Sequence, residues 1–327
     1  MHPFSFVEVE SAEAAINALE ADGNAVFFAG GTTLIDLMKL DVLTPEVLVD
    51  VNRMAFASIQ TTADGVSIGA NVRNSDLAHD RVIRDRYPVL SEALLSGASA
   101  QLRNMASTAG NLLQRTRCLY FRDVNAGCNK RRPGSGCDAL TGVNRSHALL
   151  GTSDACIATN PSDMCVAMAA LEAVIHTQRQ DGTTRAIPLA DFYLLPGNTP
   201  ERETVLEKRE LITHVQLPND EIGRRSHYLK VRDRASYEFA LASAAVAWEL
   251  DGGIIKRARV ALGGIATVPW RSKEAETVLT GKPAATATYV KAAEAALEGA
   301  VPREHNAFKI ELAKRTLVEA LEELGRN

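Results

Sequence analysis

The sequence predicts an α+β protein made of two or three packed lobes. Its 327 residues exceed one typical domain, and a content of 46% hydrophobic and 23% charged residues is that of a globular chain with ample material for a core. Residues 1–55 alternate helical and strand-like periodicity, whereas the region from Arg224 onward places strand patterns before a long helical one. These patterns together indicate that helices and strands are mixed along the chain.

The N-terminal lobe, predicted over residues 1–55, combines two helices, two strands and a glycine turn. Ser11 to Ala21 has helical spacing, and Asp22 with Gly23 should end that helix. Strands are predicted at 24–28 and 47–51, and a second helix at 34–40. We therefore expect a compact α/β lobe whose glycine turn joins a strand to a helix.

The second lobe, predicted over residues 56–220, contains a long stretch without periodicity. The regular patterns predict a strand at 66–68, helices within 75–97, a loop-rich segment at 101–114, renewed regular structure at 148–158, a helix at 163–173 and a hairpin of 173–177 with 184–187. Between residues 115 and 147 Gly, Asn, Arg, Pro and Cys dominate. A long irregular stretch inside a globular protein is usually functional or disordered, and the cysteines favour function.

The third lobe is predicted over residues 224–327. Its strands are expected at 227–232, 242–250 and 254–262, and its helices at 274–279, 289–297 and 308–324. The last of these is expected to be a long helix that closes the chain.

Charge and hydropathy exclude several classes of function. The formal net charge is −4 and only 5% of residues are aromatic, so the chain lacks the basic field and interleaved aromatics of a nucleic-acid binder. No apolar run approaches the roughly 20 residues that cross a bilayer, which predicts no membrane insertion. The N-terminal MHPFSFVEVESAEAAI has no basic segment followed by an apolar one, so no secretory signal is expected. We expect a chain that stays in the cytoplasm or leaves it with a signal-bearing partner.

A glycine turn between a strand and a helix is the first candidate binding site. Paired glycines permit positive φ and close approach of a ligand, and N–H groups at a helix start suit a diphosphate. The turn and its flanks comprise Val26, Phe27, Phe28, Ala29, Gly30, Gly31, Thr32, Thr33 and Leu34. An ordinary strand-to-helix turn with Thr as N-cap explains the same residues equally well.

Four of the five cysteines fall between positions 118 and 156, which indicates a metal or cluster site in a chain without a secretory signal. Their spacing is Cys118-x9-Cys128-x8-Cys137-x18-Cys156, without the close pairs typical of structural zinc or the compact ferredoxin spacings. Four thiolates can still converge on a 4Fe-4S cluster. On spacing alone, iron–sulfur, zinc and free cysteines all stay open. Cys165 lies among apolar residues of a predicted helix and is expected in the core.

Around the cysteines, between residues 115 and 145, basic residues outnumber the acidic residues, which are Asp123 and Asp138. Seven basic residues lie in this region. They are Arg115, Arg117, Arg122, Lys130, Arg131, Arg132 and Arg145. Cations of this kind would stabilise an anionic cluster. The alternative is a solvated basic loop at a partner interface.

Taken in order, these segments resemble the FAD-binding subunits of the xanthine oxidase and carbon monoxide dehydrogenase family, along essentially the whole chain. The glycine turn with Met38 and Lys39 resembles that family's first pyrophosphate loop, and Gln101 to Leu112 resembles its second FAD loop. The resemblance implies an α+β fold. It would consist of a two-lobed FAD-binding domain of the PCMH/vanillyl-alcohol-oxidase type and a C-terminal α/β domain of the CO dehydrogenase flavoprotein type.

The resemblance also implies further cofactor-binding residues besides the nine of the first loop. Thr108, Gly110 and Asn111 match the Thr, Gly and Asn of the second FAD loop. Asp163 closes the segment Asn-Pro-Ser-Asp that reaches the ribityl region of the flavin in the family. Lys230 lies in a strand of the third lobe whose lysine is near the flavin.

The chain departs from the commonest family pattern by an inserted cysteine segment, at about residues 115–156, between Asn111 and Asp163. Similar insertions carry a 4Fe-4S cluster in two branches, the flavoprotein subunits of 4-hydroxybenzoyl-CoA reductase and of periplasmic aldehyde oxidoreductase. Details at 120–123 and 128–130 are closer to the aldehyde oxidoreductase branch. The resemblance thus implies that the cluster ligands are Cys118, Cys128, Cys137 and Cys156.

The function implied by the resemblance is electron transfer within a molybdenum-dependent aldehyde oxidoreductase. Aldehydes would become carboxylic acids on a large molybdenum-cofactor subunit, and electrons would pass through a small 2Fe-2S subunit to FAD in this chain and then to an external acceptor. Such a heterotrimer would be periplasmic if a partner supplies the signal, and no residue here should act on the aldehyde. The alternatives are a self-sufficient FAD-dependent reductase, a flavoprotein of the 4-hydroxybenzoyl-CoA reductase type, and a zinc-stapled binding protein.

Overall fold

The computed structural model describes residues 1–21 and 23–326, with side chains except at residues 20 and 21. In this part of the chain, the strands form sheets of three, five and four strands, and buried apolar side chains form four core clusters. The mixed α+β class predicted from the sequence is confirmed.

The N-terminal lobe is a parallel three-stranded sheet with two helices. Its elements are β1 (Ser5–Glu8), α1 (Ala12–Ala21), β2 (Ala25–Phe28), α2 (Leu34–Lys39) and β3 (Val47–Asp50). The apolar strand β3 lies between β1 and β2. The sequence missed β1, because its residues are exposed at the sheet edge and show no buried face. The helix end predicted at Asp22 lies outside the described residues.

The middle of the chain forms an antiparallel five-stranded sheet in the order β4-β5-β8-β6-β7, with short helices on it. The strands are β4 (Ile59–Thr62), β5 (Gly65–Gly69), β6 (Val174–Gln178), β7 (Thr184–Pro188) and β8 (Leu211–Pro218). The helices are α3 (Asn74–His79), α4 (Arg81–Arg86), α5 (Pro88–Ser96), α6 (Ala100–Met105), α7 (Thr108–Leu112), α8 (Leu119–Arg122), α9 (Asp163–Ala170) and α10 (Leu189–Phe192). The hairpin of β6 and β7 forms where the sequence predicts it.

Two expectations for this region were wrong. The segment 101–114, expected to be a loop, contains α6 and α7, because Ser99 and Ser107 cap them by accepting hydrogen bonds from the N–H groups of Leu102 and Gly110. The segment 148–158, expected to be regular, forms no helix or strand among the described residues. Its apolar side chains reflect burial, since residues 148–150 and 156–158 are all buried.

The third lobe is an antiparallel sheet in the order β12-β11-β10-β9, covered by helices. Its strands are β9 (Ser226–Val231), β10 (Ala242–Asp251), β11 (Ile254–Gly263) and β12 (Trp270–Arg271), and its helices are α11 (Lys273–Leu279), α12 (Thr286–Ala296) and α13 (Phe308–Arg326). Leu317 and Leu321 of α13 are buried in the same core as Trp248 of β10. The predicted closing helix therefore covers the sheet.

Helix α9 connects the second and third lobes. Its residues after Asp163 are all buried, because it contacts α5 on one side and β10 and β11 on another. Ser162 caps the helix by accepting a hydrogen bond from the N–H of Cys165. The packing leaves the start of α9, with Asp163, facing a cavity between the lobes.

Candidate cofactor cavity and four-cysteine site

A cavity of about 530 Å³ opens between the three lobes. Thr32 and Thr33 of the first lobe line it, together with Gly110, Asn111 and Asp163 of the second. A volume of this size with a few converging polar groups is typical of a cofactor site. Five of the predicted cofactor-binding residues therefore meet in one place, although they are distant in sequence.

The remaining first-loop residues build the turn. Val26, Phe27 and Phe28 form β2, Ala29 follows it, and Leu34 begins α2. Gly31 adopts a φ of 70°, as the turn requires, and Thr33 begins α2 without a side-chain hydrogen bond to its own helix. A Cβ on Gly30 would overlap the carbonyl oxygen of Met105 in the second FAD loop, so the two predicted loops touch through this glycine.

The second loop is fixed by internal hydrogen bonds. Thr108 is fully buried and donates from Oγ1 to the Val72 carbonyl at 3.0 Å, so it supports the loop. Asn111 lines the cavity, and its Oδ1 accepts from Ser162 Oγ at 2.7 Å. This bond connects the second loop to the N-cap of α9.

Lys230 reaches the cavity through Asp163. Lys230 Nζ donates to Asp163 Oδ2 at 2.8 Å, and Tyr228 Oη donates to Asp163 Oδ1 at 2.7 Å. The side chains of Lys230 and Asp163 are only 3% and 10% exposed. Burial raises the pKa of Tyr228, and the charge of Asp163 raises it further, so the phenol stays a donor. The positive charge of Lys230 compensates the negative charge of the buried Asp163 carboxylate, which faces the cavity.

Sequence reasoning missed several residues of the cavity. They are Asp36 of α2, Arg103, Arg117, Arg122, and Tyr237 to Phe239 of the third lobe. Asp36 accepts from Arg117 Nη1 at 2.9 Å and from Arg122 Nη1 at 2.7 Å. The only local signal was an acidic residue in the first turn of the helix after the glycine turn.

A second cavity, of about 270 Å³, connects the first cavity to the cysteine segment. It shares Arg117, Asp163 and Phe239 with the first cavity and is also lined by Cys118 and His147. The first cysteine of the segment is thus adjacent to the space in front of Asp163.

All four predicted ligand cysteines line one small pocket in the irregular segment. Cys118, Cys128 and Cys156 are buried, Cys137 is half-buried, and all are free thiols. No three His, Cys, Asp or Glu side chains among the described residues are arranged around a single metal ion. Tetrahedral zinc with 2.3 Å bonds needs sulfurs about 3.8 Å apart. Four cysteines around one pocket are also the ligand set of a 4Fe-4S cluster.

Burial governs the acidity of these thiols. It raises the pKa of Cys118 to about 12, opposed by the N–H groups of Phe121 and Tyr120. Burial also raises the pKa of Cys137 and of Cys156, although the charge of Lys130 partly opposes it at Cys156. The pocket therefore keeps free thiols protonated, and a bound metal centre must displace those protons.

The basic residues of the segment are largely paired within the chain. Arg115 and Lys130 bind Glu203 at 2.6 and 2.8 Å, and Arg145 binds Asp233 at 2.7 Å. Arg131 donates to backbone carbonyls of its own segment, including that of Phe121 at 2.8 Å. Burial raises the pKa of Glu203, but the two cations overcome this and lower it. These ion pairs and hydrogen bonds help to fix the shape of the segment, while a basic contact with a partner stays a prediction.

A histidine contacts the first of these cysteines, whereas the fifth cysteine lies apart from them in another core. His147 Nε2 lies 3.1 Å from Cys118 Sγ, a contact that local sequence patterns do not reveal because the residues are 29 positions apart. Cys165 lies in α9, fully buried, with its sulfur 3.1 Å from Tyr193 Oη. Cys165 is therefore part of the core, as the sequence predicts.

The cavity between the lobes has the features of a cofactor site, and comparison with known proteins identifies the cofactor as FAD. Residues 2–220 match the family of the FAD binding domain in molybdopterin dehydrogenase, and residues 227–324 match the CO dehydrogenase flavoprotein C-terminal domain. The chain belongs to this family of flavoprotein oxidoreductase subunits.

Its relatives include the aldehyde oxidoreductase FAD-binding subunit PaoB of Escherichia coli (strain K12), with 54% identity over 99% of this chain and 98% of the relative. The glyceraldehyde dehydrogenase medium chain of Sulfolobus acidocaldarius is 30% identical over 86% of this chain and 83% of the relative. A carbon monoxide dehydrogenase structure from Hydrogenophaga pseudoflava superposes with a TM-score of 0.77 at 24% identity, covering 99% of this chain and 98% of that one. The last likeness establishes the fold.

No helix in the described part of the chain is both long and apolar enough to span a bilayer.

Proposed function

We propose that this chain is the FAD- and 4Fe-4S-carrying electron-transfer subunit of a molybdenum-dependent aldehyde oxidoreductase. The aldehyde would be oxidised to a carboxylic acid on a large molybdenum-cofactor subunit. A small 2Fe-2S subunit would deliver the electrons to this chain, which would pass them to an external acceptor. The observation that carries the proposal is the pocket of four cysteines beside a cavity formed by both predicted FAD loops.

The residues of the chain bind and position cofactors. FAD, when bound, supplies the electron exchange. Thr32 and Thr33 at the start of α2 suit its diphosphate, and Asn111 and Asp163 lie further along the same cavity. Arg117, between the cavity and Cys118, places a cation between the two cofactor sites. None of these side chains forms the paired base and nucleophile that chemistry on an aldehyde would require.

The aldehyde substrate and the partners come from the relatives. The Escherichia coli protein with 54% identity is named as a subunit of an aldehyde oxidoreductase, and the Sulfolobus acidocaldarius protein as a chain of a glyceraldehyde dehydrogenase. This support favours an aldehyde over the 4-hydroxybenzoyl-CoA reductase alternative. Location in the periplasm, through export with a signal-bearing partner, is part of the proposal, with the cytoplasm as its alternative.

Iron content tests the cluster. Anaerobically prepared chain should contain about four irons, as one cluster on four cysteines implies. Replacing Cys118, Cys128, Cys137 or Cys156 by Ser removes a ligand and should lose most of that iron. Cys165→Ala is the matched control and should keep it. Stoichiometric zinc with negligible iron, or iron loss only in the control, would overturn the cluster assignment.

Reduction of the flavin tests whether the aldehyde is oxidised on a partner subunit or on this chain. The isolated chain should keep its flavin oxidised with aldehydes and with NADH, because the site of aldehyde oxidation lies on a partner. Dithionite should still reduce it, and addition of the molybdenum and 2Fe-2S subunits should restore aldehyde-dependent bleaching. Rapid bleaching of the isolated chain by NADH or an aldehyde would instead establish the self-sufficient reductase.

A further inference from the structure

A buried histidine contacts one of the four cysteines. His147 is 3% exposed, and its Nε2 lies 3.1 Å from Cys118 Sγ. Its Nδ1 is buried without a hydrogen-bond partner among the described residues. A ligand thiolate can only accept a hydrogen bond, so a bond between this pair requires the proton on Nε2, which faces the sulfur.

The third lobe fixes the backbone that carries this ring. Lys309 at the start of α13 is fully buried, and its Nζ donates to three carbonyl oxygens, those of Ser146 at 3.2 Å, His147 at 2.9 Å and Gly264 at 2.6 Å. Asn306, also fully buried, donates from Nδ2 to the His147 carbonyl at 3.3 Å. A buried lysine is costly, and here its three donors are used on the segment that holds His147.

Packing alone does not account for this arrangement. An apolar ring of similar size would fill the space without a buried polar nitrogen. The imidazole instead directs a nitrogen at a sulfur, and two buried polar side chains from another lobe hold its main chain. A thiolate that ligates iron is a better hydrogen-bond acceptor than a protonated thiol.

We infer that His147 is a positioning residue that donates a hydrogen bond from Nε2 to the sulfur of Cys118, held in place by Lys309 and Asn306. The inference rests on the proposed function, because it requires Cys118 to ligate a cluster. Hydrogen bonds to ligand sulfurs set the reduction potential of iron–sulfur clusters, and a donor stabilises the more negative, reduced form. The third lobe thereby sets the potential of a cluster bound in the second.

The test is an EPR-monitored redox titration of the full chain with its cofactors. His147→Phe removes the donor and keeps a planar ring, and it should retain about four irons while shifting the cluster midpoint to more negative potential. We expect an effect on the order of tenfold in the electron-exchange equilibrium, about 59 mV for a one-electron couple. His147→Gln, which retains an N–H donor, should recover part of the shift. His176→Phe, a half-buried histidine of β6, should leave the midpoint unchanged.

The outcomes separate the two proposals. Wild-type chain without iron would refute the proposed function, whereas iron-loaded His147→Phe with the wild-type midpoint would refute the inference alone. If His147→Phe does not retain its cluster, the contact between His147 and the cluster is tested on the wild-type chain by nitrogen hyperfine coupling. Chain labelled with ¹⁵N in its histidine rings should show a nitrogen hyperfine coupling to the reduced cluster, and absence of that coupling would overturn the role of His147.

Discussion

Gly30 lies where another part of the backbone leaves no room for a side chain. A Cβ at this position would overlap the carbonyl oxygen of Met105, at the end of α6. Gly31, its neighbour, is needed for a different reason, since it adopts a φ of 70°. One glycine allows contact between the two FAD loops, and the other allows the turn that orients Thr32 and Thr33.

We predict that Gly30→Ala weakens FAD binding. The added methyl group must push the first loop away from Met105, and overpacking of this kind costs about 1–3 kcal/mol, or roughly 5- to 150-fold in FAD affinity. Flavin fluorescence titration of the FAD-free chain measures the effect. Gly23→Ala in the same lobe meets nothing within 4 Å and should bind FAD normally. Equal affinities of the two variants would contradict the proposed contact.

Helix α2 and the cysteine segment are connected by one carboxylate. Asp36 accepts hydrogen bonds from Arg117 and Arg122, which flank Cys118. The bond from Arg122 is the main cause of the lowered pKa of Asp36, and Arg117 adds to it while burial opposes both. The helix that follows the glycine turn is thereby tied to the segment that carries Cys118, one of the proposed cluster ligands.

Asp36→Asn should loosen this connection. Two arginines beside the cavity lose their charge partner, and because Asp36 is 38% exposed we expect a loss of about 1 kcal/mol after screening by solvent. Urea denaturation with flavin and iron content as readouts should show a lower midpoint and weaker retention of both. Asp85→Asn, in an exposed pair with Arg81, is the control and should behave as wild type.

A histidine joins three elements of the second and third lobes. His227 of β9 lies between Glu92 of α5, at 2.9 Å, and Glu323 of α13, at 2.7 Å. Glu92 and then Glu323 raise the pKa of His227, and burial opposes them. A raised pKa means that the protonated ring stabilises the folded state.

This stabilisation should depend on pH. It is fully present below the unfolded pKa of about 6.5 and is lost as the pH rises through the higher folded pKa. The free energy of unfolding of wild type, relative to His227→Gln, should therefore fall between pH 6 and pH 8. Urea titrations at both pH values measure the difference. A difference that is constant with pH would show that the charged ring does not contribute.

All three lobes contribute to the wall of the cavity proposed to bind FAD. Thr32 comes from the first lobe, Asn111 from the second and Phe239 from the third. A ligand that contacts all three can bind with full affinity only when they are packed together. Binding of FAD and the stability of the whole molecule are therefore linked.

We predict that FAD raises the melting temperature of the FAD-free chain in a concentration-dependent way. At a free FAD concentration 100 times the dissociation constant, the linkage amounts to about 2.7 kcal/mol. Thermal unfolding followed by circular dichroism across an FAD series measures it. Riboflavin, which lacks the diphosphate, should give a much smaller shift at equal concentration. Equal shifts for both would place the binding energy away from the glycine turn.

The sequence by itself determined the elements with strong local patterns. The strand, turn and helix around Gly30 and Gly31, the hairpin of β6 and β7 and the closing helix α13 follow from periodicity and from residues with special backbone freedom. Resemblance in the order of motifs identified the family and predicted both FAD loops. Elements with weak patterns were not predicted. Strand β1 lies exposed at a sheet edge, and α6 and α7 are short helices that depend on serine caps.

The tertiary structure alone decided which of these residues face one another. Thr32, Asn111 and Asp163 share a cavity, whereas Thr108 is buried behind it and Lys230 acts through Asp163. The spacing of the four cysteines did not show that they line one pocket. No local pattern predicts that His147 contacts Cys118, or that Lys309 donates a hydrogen bond to the His147 carbonyl. Periodicity records which side of an element is buried, but a site depends on distances between elements, and those distances are fixed only when the lobes pack.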